Sequence, residues 1–415
     1  MIKNNIIYSS GTDWLFNLKK AEGCYLWDTG DNKLLDFTSG WNVANLGWNN
    51  QEILHAVVDQ TRKNANSSLD TSEQVQIALA KRLISYLPKG LDTVGKATGG
   101  SDANEEALKT ARAYTKRTKL IGFRETYHGQ TFADMTVGYG PEYTKAIAPM
   151  LPDVIQLNFP QTYRTDKSGG DILEEFEKEL ERVLSKEDVA AIITEAGILT
   201  GWGSTYVAPK GYLTVVRKLT KKYGTLLILD EVGTGFSRCG KLFAMEIENV
   251  TPDIVTIAKG FSNGVAAIGA MVTTNEIAEK TWQDTNLTAT FGWVPLGCAA
   301  ALKIMEIHNR DKVWEKSAKD GKYMMKILRE ELSNNPYVGD VRGVGMELGI
   351  DLVKDKNSKE KNTDFLKHVL EKTRKNGLFL NSDGESNIQL MPPLIINRQD
   401  LNRGLEILVD VIQKS

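Results

Sequence analysis

Short apolar runs alternate with helical patterns from about residue 75 to residue 275. The helical patterns place apolar residues three or four positions apart, as in Leu173, Phe176, Leu180 and Val183. The apolar runs are LIGF (120–123), VAAIIT (189–194), TLLILD (225–230), DIVTIA (253–258) and AIGAMV (267–272). Strand–helix alternation of this kind predicts an α/β fold with a mostly parallel, doubly wound sheet.

Two of these runs end in ionisable side chains. TLLILD ends in Asp230 with Glu231 next, and DIVTIA is followed by Lys259. Open α/β sheets bind ligands beyond the carboxyl ends of their strands, so we expect these groups to share a site. Burial disfavours the charged form of a lysine. A neutral amine there would suit Schiff-base chemistry.

The segment ATGGSDANEEALKTAR (97–112) predicts a tight turn followed by a helix. Gly99 and Gly100 allow the turn, and we expect Ser101 and Asp102 to cap the helix. The backbone N–H groups and dipole of such a helix start attract anions. An ordinary capped helix is the alternative interpretation.

Composition narrows the class of protein. The chain has 415 residues, enough for two domains, with 51 Lys and Arg against 53 Asp and Glu. This balance gives no electrostatic reason to expect nucleic acid or an anionic membrane as partner. The sequence shows no signal-peptide layout and no apolar run long enough to span a membrane.

The sulfur and imidazole side chains are few and scattered. Three cysteines lie far apart without a CxxC pair, which favours a reducing compartment. Four histidines show no metal-ligand spacing. We therefore expect a soluble, cytoplasmic protein without a bound metal.

The last hundred residues show other patterns. MELGIDL (346–352) alternates apolar and polar residues, which predicts a half-exposed strand. VKDKNSKEKNT (353–363) predicts a surface loop. A final helix should bury one face, formed by Leu401, Leu405, Leu408 and Ile412.

These patterns predict three regions. Residues 1–50 form an N-terminal segment that contributes to a small domain, and residues 51–310 form the large domain that carries the site. Residues 311–415 form the rest of the small α+β domain.

LLILDEV also fits the metal-binding strand of P-loop ATPases. That function needs a GxxxxGK[ST] loop to hold phosphates, and the sequence contains none. The sequence therefore disfavours a nucleotide-binding ATPase.

Nine segments together resemble the class III (ω-type) aminotransferases, which are fold type I enzymes that use pyridoxal 5′-phosphate. In chain order these segments are SGWNVANLG (39–47), GGSDANE (99–105), YHG (127–129), ITEAG (193–197), ILDEVGTGFSRCGKLFA (228–244), PDIVTIAKG (252–260), TATFGWVPLGCAAALK (288–303), DVRGVGMELGI (340–350) and MPPLI (391–395). Each segment alone is a weak signal, but their order and spacing match the family over nearly the whole chain.

The resemblance assigns the chemistry to residues that the strand pattern had already singled out. It implies that Lys259 forms the Schiff base with the cofactor and later shuttles the substrate proton. Asp230 would pair with the pyridine nitrogen and keep the ring an electron sink. Val232 would pack under the ring, and Tyr127 would stack on its other face.

Further residues match the family by position. Gly100 and Ser101 would cradle the phosphate, and Thr290 would reach the phosphate of a neighbouring subunit, which implies a homodimer with shared active sites. Glu195 matches a carboxylate beside the cofactor that often pairs with a mobile substrate-binding arginine. Trp41 matches an aromatic that lines the amine pocket. A structural ion pair for Glu195 and a core position for Trp41 are the alternatives.

The chain departs from the family pattern at three places. Ala196 stands where most members have proline, and Trp293 should add bulk near the expected dimer interface. Gln389 stands where members that bind an α-carboxylate tend to have arginine. A neutral amide forfeits the bidentate pairing of arginine with a carboxylate.

The resemblance predicts transfer of an amino group from a primary amine or ω-amino acid to a 2-oxo acid such as pyruvate or 2-oxoglutarate. An amino-acid racemase, epimerase or aminomutase on the same fold is the alternative, because these enzymes share the lysine, the aspartate and the phosphate cradle.

Overall fold

The computed structural model describes residues 2–3, 5–7, 16–68 and 70–415. Part of the predicted N-terminal region, residues 1, 4 and 8–15, lies outside these ranges. The strands are β1 (Ile2–Lys3), β2 (Ile6–Ile7), β3 (Leu18–Glu22), β4 (Tyr25–Asp28), β5 (Lys33–Asp36), β6 (Thr93–Ala97), β7 (Lys119–Phe123), β8 (Val154–Leu157), β9 (Val189–Glu195), β10 (Ile198–Leu199), β11 (Tyr206–Val207), β12 (Leu226–Asp230), β13 (Ile254–Ile257), β14 (Gly269–Thr273), β15 (Val338–Val344), β16 (Glu347–Leu352), β17 (Leu378–Phe379), β18 (Asn381–Ser382) and β19 (Asn387–Leu390). The helices are α1 (Ser39–Asn42), α2 (Gln51–Thr61), α3 (Gln74–Ile84), α4 (Gly100–Thr115), α5 (Phe132–Gly138), α6 (Pro141–Thr144), α7 (Gly169–Leu184), α8 (Tyr212–Tyr223), α9 (Asn275–Thr285), α10 (Pro295–Arg310), α11 (Val313–Leu332), α12 (Thr363–Lys375) and α13 (Arg398–Lys414).

A seven-stranded sheet in the order β6-β14-β13-β12-β9-β7-β8 is built from strands between Thr93 and Thr273. β14 runs antiparallel to both of its neighbours, and the four other pairs are parallel. All five apolar runs of the sequence lie in this sheet, which confirms the mostly parallel α/β architecture. β9, β12, β13 and β14 are buried along their whole length, as expected for strands covered on both faces.

Helix α4 crosses one face of the sheet and contacts β6, β14, β13, β12 and β9. Its sheet-facing residues include Ala103, Ala107 and Ala111, all fully buried. Small side chains let the helix axis approach the strands closely. Its first turn therefore lies near the carboxyl ends of β12 and β13.

The C-terminal part contains an antiparallel sheet in the order β15-β16-β19-β18 and the helices α11, α12 and α13. The predicted apolar face of the last helix is confirmed, since Leu401, Leu405, Leu408 and Ile412 are buried. Residues 354–358 are exposed, as the polar composition of the predicted loop indicated.

The prediction of a half-exposed strand over MELGIDL is wrong. Every residue of β16 is buried, including Glu347 and Asp351. These carboxylates pair with protein groups instead of water: Glu347 accepts hydrogen bonds from Asn42 and Thr205, and Asp351 forms ion pairs with Arg164 and Arg342. The apolar–polar alternation of this segment therefore indicates polar side chains that have partners inside the protein, and not a face exposed to solvent.

Trp293, which the sequence analysis expected to add bulk near a subunit interface, packs within its own chain. Its side chain is buried, its indole nitrogen donates to the carbonyl of Gly269 at 2.7 Å, and its ring packs near Phe261. The indole fills space beside β14.

Among the residues that the structure describes, every helix is too short or too polar to cross a membrane.

Helix α4 also buries a carboxyl group that gives a pH-dependent stability. Burial, with the charge of Asp102 as a smaller cause, raises the pKa of Glu106 to about 8. The folded protein thus favours the protonated form, and this contribution to stability is lost as the pH rises from about 4.5 to about 8.

We expect Glu106→Gln to stabilise the protein increasingly between pH 5 and pH 8, by roughly 2–4 kcal/mol at the upper end. The free energy of unfolding in urea at several pH values measures the effect. Glu279→Gln, at an exposed position of α9, is the matched control and should show no such trend. A constant difference between wild type and Glu106→Gln across this range would contradict the assignment.

Candidate active site

The carboxyl ends of β9, β12 and β13 bring the predicted groups together. Asp230 ends β12 and is in register with Glu195 on β9 and with Thr256 on β13. Lys259 begins a 3₁₀ turn two residues after β13 ends. Asp230 and Lys259 therefore lie at the same edge of the sheet, after the ends of two adjacent strands.

Asp230 is 2% exposed and is held by three donors. Its Oδ2 accepts from Asn104 Nδ2 at 2.9 Å and lies 2.7 Å from His128 Nδ1, while its Oδ1 accepts from the backbone N–H of Val232 at 2.9 Å. Asn104 also donates to the carbonyl of His128 and accepts from Thr256 Oγ1. These contacts fix the carboxylate in one orientation.

The neighbouring carboxylate turns away from this site. Glu231 accepts from the backbone N–H groups of Ala244 and Met245, at 3.0 and 2.7 Å, and from Thr234. Burial raises the pKa of Glu231 to about 7. Of the two adjacent acids, Asp230 faces the site and Glu231 ties the following loop to the scaffold.

Lys259 has a strained backbone and a half-buried side chain. Its φ of 47° lies in the left-handed region, which is uncommon for a residue with a side chain. A Cβ at Gly233 would lie 3.7 Å from Lys259 Nζ and would overlap Thr200 Oγ1. The amine therefore lies close to the loops that follow β12 and β10.

The start of α4 differs in detail from the prediction. Gly99 is the N-cap, and no side chain among the described residues caps the helix. Asp102 instead accepts from the backbone N–H and hydroxyl of Thr98, and Ser101 Oγ accepts from the backbone N–H of Gln130. The prediction that Ser101 and Asp102 cap the helix is wrong. The first-turn N–H groups consequently remain free of side-chain caps, as an anion site requires.

The same helix start packs against the end of β12. A Cβ at Gly100 would lie 2.9 Å from Val232 Cγ1, so glycine permits this approach. Ser101 adjoins Gly129 of the YHG segment. Gly100, Ser101 and Val232 thus form one half-buried group beside Asp230.

Tyr127 lies in an aromatic cluster next to this group. Its ring centroid is 5.6 Å from that of Trp202 and 6.1 Å from that of Tyr139. Trp202 donates from its indole nitrogen to the carbonyl of Thr126 and stacks on Tyr143 at 5.9 Å. These rings form an aromatic wall near the YHG segment.

Glu195 is buried, and only one of its two carboxylate oxygens has hydrogen-bond donors among the described residues. Its Oε2 accepts from the backbone N–H and the Oγ1 of Thr200, at 2.8 and 2.7 Å. Its Oε1 is buried without a hydrogen-bond partner among the described residues. Burial, followed by the negative charge of Asp230, raises the pKa of Glu195 to about 7.

Gln389 is fully buried close to this carboxylate. Its Nε2 donates to the carbonyl of Thr200 at 2.9 Å and to Glu347 Oε1 at 2.7 Å. Glu347 in turn accepts from Asn42 Nδ2 at 2.9 Å. Both N–H groups of the amide are therefore engaged within the protein.

Trp41 and Thr290 are more exposed than the other predicted residues. Trp41 is 48% exposed in a turn in which Ser39, Gly40, Trp41 and Asn42 all have φ between 46° and 66°. Thr290 is exposed and lines a groove together with Lys96. Within the part of the chain that the structure describes, neither Trp41 nor Thr290 forms a direct hydrogen bond to Asp230 or to the group of Gly100, Ser101 and Val232 beside it.

Three residues of the site carried no assigned role in the sequence interpretation. His128 and Asn104 lie inside the YHG and GGSDANE segments, which were the signal that could have identified them. Thr200 lies in no quoted segment, and only the folded chain places it between Glu195 and Lys259.

Comparison with known proteins identifies the family. The sequence model of the class-III aminotransferase family matches residues 7–412 of this chain. The acetylornithine aminotransferase of Archaeoglobus fulgidus is 32% identical over 395 residues, 95% of this chain and 94% of that protein. The isoleucine 2-epimerase of Lentilactobacillus buchneri is 30% identical over 400 residues, 94% of this chain and 88% of that protein.

A solved structure shows the same fold. The thermostable (S)-enantioselective omega-transaminase of Thermomicrobium roseum superposes with a TM-score of 0.90 at 32% identity, covering 97% of this chain and 93% of that one. The match runs through both the central sheet and the C-terminal part. The chain therefore belongs to the class III aminotransferases, pyridoxal 5′-phosphate-dependent enzymes of fold type I.

Proposed function

We propose that this enzyme transfers an amino group from a primary amine or ω-amino acid to a 2-oxo acid such as pyruvate or 2-oxoglutarate. The observation that carries this donor class is Gln389. A buried neutral amide, with both N–H groups already bonded to Thr200 and Glu347, provides no charged partner for an α-carboxylate. A donor that has no α-carboxylate needs no charged partner at this position, so the neutral amide does not weaken its binding.

The residues present fit pyridoxal 5′-phosphate. The uncapped start of α4 and the hydroxyl of Ser101 suit a phosphate, and a Cβ at Gly99 would meet no atom within 4 Å, so the approach to this turn is open. Tyr127 and Val232 offer an aromatic and an aliphatic surface for a planar ring. Asp230 offers a buried, fixed acid for the ring nitrogen.

We assign the chemistry to four side chains. The bound cofactor supplies an aldehyde carbon and an electron-withdrawing ring. Lys259 would bind that aldehyde covalently and, once displaced by the donor amine, carry the proton from the donor carbon. Asp230, oriented by His128 and Asn104, would hold the proton on the ring nitrogen.

A panel of donors, each paired with pyruvate and with 2-oxoglutarate, tests the donor class. We expect kcat/KM to be highest for primary amines and ω-amino acids. Gln389→Arg should raise activity with α-amino acids relative to amines, because it restores a cation. A strong preference of the wild type for the α-amine of α-amino acids would contradict the proposal.

An epimerase or racemase is the second candidate, and similarity to the isoleucine 2-epimerase favours it. Incubation of the enzyme with the donor alone, without a 2-oxo acid, distinguishes the two functions. A transaminase should release one equivalent of a carbonyl product and lose its visible absorbance, whereas an epimerase should change only the chirality of its substrate.

We also propose a homodimer in which Thr290 serves the phosphate site of the partner subunit. In the same stretch of chain, Trp282 and Phe291 are 64% and 65% exposed in the isolated chain. Large apolar groups of this kind favour a protein interface. Their position supports a shared site at the dimer interface.

Mixed dimers test the shared site. Lys259→Ala and Thr290→Asp homodimers should each have little activity, the second because a carboxylate repels the phosphate. After subunit exchange, a mixed dimer holds one site with both native residues. Activity well above the sum of the parents is expected, and activity equal to that sum would contradict the role of Thr290.

We make three further proposals, on the compartment, the domains and the amine pocket. The free cysteines Cys24, Cys239 and Cys298 are buried, which supports a reducing compartment such as the cytoplasm. The parallel pairing of Leu378 with Leu35 supports a small domain built from residues 1–50 and 311–415 around the large domain 51–310. We also propose that Trp41 lines the amine pocket, which its exposure permits.

A further inference from the structure

A buried carboxyl group without a partner lies beside the start of α4. Asp134, in helix α5, is fully buried, and in the described ranges of the chain neither of its carboxyl oxygens has a hydrogen-bond partner. Its backbone N–H donates to Thr131 Oγ1 at 3.1 Å, and the hydroxyl of Thr131 donates to Glu105 Oε2 at 2.6 Å. The single hydroxyl hydrogen of Thr131 is therefore directed at Glu105 and not at Asp134.

Gly129 places this carboxyl group next to Ser101. A Cβ at Gly129 would lie 2.1 Å from Asp134 Oδ2 and 2.2 Å from Ser101 Oγ. Because both distances start from one point, the two oxygens are at most about 4.3 Å apart, which lets one ligand atom contact both. The φ of Gly129 is 145°, so glycine suits this close approach in conformation as well as in size.

Ser101 belongs to the phosphate cradle proposed above. Its Oγ accepts from the backbone N–H of Gln130, so its own hydroxyl hydrogen can be donated to an anion. An ionised carboxylate so close to Ser101 would repel a phosphate, whereas a neutral carboxyl group would offer it an O–H donor. The protonation state of Asp134 therefore decides whether this side chain opposes or favours phosphate binding.

The surroundings of Asp134 favour the neutral form. Burial, followed by the negative charge of Glu105 on α4, raises the pKa of Asp134 to about 8. The charge of Asp230 at the end of β12 acts in the same direction, and the proximity of Thr131 acts in the opposite one. A bound phosphate adds another negative charge, so the carboxyl group should then keep its proton to a still higher pH.

We propose that Asp134 is a further phosphate-binding residue: its neutral carboxyl group donates a hydrogen bond to a phosphate oxygen of the cofactor beside Ser101. This rests on the phosphate site proposed above. Phosphate binding is then coupled to retention of the proton on Asp134. Affinity for a phosphorylated ligand should fall as the pH rises through about 8, because the free enzyme loses that proton there.

Pyridoxamine 5′-phosphate is the probe, because it carries the phosphate but cannot form an imine with Lys259. Its Kd for the full chain, freed of cofactor, is measured between pH 7 and pH 9.5 beside that of pyridoxamine, which shares the ring and amine ionisations. We expect the ratio of the first Kd to the second to rise by roughly ten- to thirtyfold in the wild type. In Asp134→Asn, which keeps the shape and an N–H donor at every pH, it should change by less than about threefold.

Glu106→Gln is the matched control. Glu106 is a buried acid of α4 whose pKa is also raised to about 8, but its Oε2 lies next to Gly95 of β6. This variant should show the wild-type rise in the ratio. A rise in Asp134→Asn as large as that of the wild type would overturn the proposal.

Proton uptake tests the same coupling without a substitution. Calorimetry at pH 9 in two buffers of different ionisation enthalpy counts the protons that the wild type takes up with each ligand. We expect pyridoxamine 5′-phosphate to cause the uptake of nearly one proton more than pyridoxamine does, because only the phosphate restores the proton of Asp134. Equal uptake with the two ligands would overturn the proposal.

The two ligands also distinguish failure of this proposal from failure of the proposed function. Tight binding of pyridoxamine 5′-phosphate at pH 7, with a ratio that does not change with pH, would overturn only the role of Asp134. Equal affinity for the two ligands at pH 7 would overturn the phosphate site itself.

Discussion

Lys259→Ala should abolish the covalent attachment of pyridoxal 5′-phosphate and lower turnover by at least about 10⁴-fold, since it removes both the nucleophile and the proton carrier. The variant should still bind the cofactor, because the start of α4, Asp230 and Tyr127 remain. Borohydride treatment followed by denaturation should release all of the cofactor from this variant. The wild type should retain it.

Two controls make this result specific. Lys221→Ala removes an exposed lysine of α8 and should leave attachment and turnover unchanged. Lys259→Arg keeps a positive charge yet cannot form the imine, so it should be as inactive as the alanine variant. Wild-type turnover in either Lys259 variant would remove this residue from the mechanism.

Asp230→Asn should leave the cofactor bound and slow proton abstraction by roughly 10²–10³-fold, because a neutral amide no longer stabilises charge at the ring nitrogen. The amide also places an N–H₂ group against one of the donors that now surround the carboxylate, namely His128, Asn104 and the N–H of Val232. Rates with an α-deuterated donor measure the effect. Their isotope effect should increase as proton abstraction becomes limiting.

The adjacent acid is the matched control for this prediction. Glu231→Gln changes a buried carboxyl group that binds the loop N–H groups of Ala244 and Met245. It should change thermal stability without a comparable loss of turnover. Equal losses in the two variants would show that Asp230 has no special connection to the cofactor.

The central strands were predictable because they are covered on both faces. A strand buried on both sides must be apolar at successive positions, so TLLILD and DIVTIA stand out from the flanking polar residues. Their ends then located Asp230 and Lys259. Residues at the ends of these strands could therefore be predicted as site residues from the apolar runs that precede them.

Two strands of the same sheet, β6 and β8, carried no such signal. TVGKA and VIQL are mostly half-buried strands at the two edges of the sheet, and they include glycine, lysine and glutamine. Edge strands need not be continuously apolar, since one side of the strand has no neighbour. Their position is set by pairing with β14 and β7.

Polar residues in the core explain the error over MELGIDL. Glu347 and Asp351 suggested a solvated face, yet each is satisfied by side chains distant in sequence, such as Asn42 and Arg164. The contact of His128 with Asp230 also joins residues far apart in the chain. A local pattern cannot reveal a hydrogen-bond partner that only tertiary folding brings near.

The most direct measurement of the central claim is the site of covalent labelling in the wild-type enzyme. The protein is loaded with pyridoxal 5′-phosphate, reduced with borohydride, digested and mapped by mass spectrometry. We predict a single pyridoxyl-phosphate adduct, located on Lys259. An adduct on a different lysine, or a fully loaded protein without any adduct, would contradict the account.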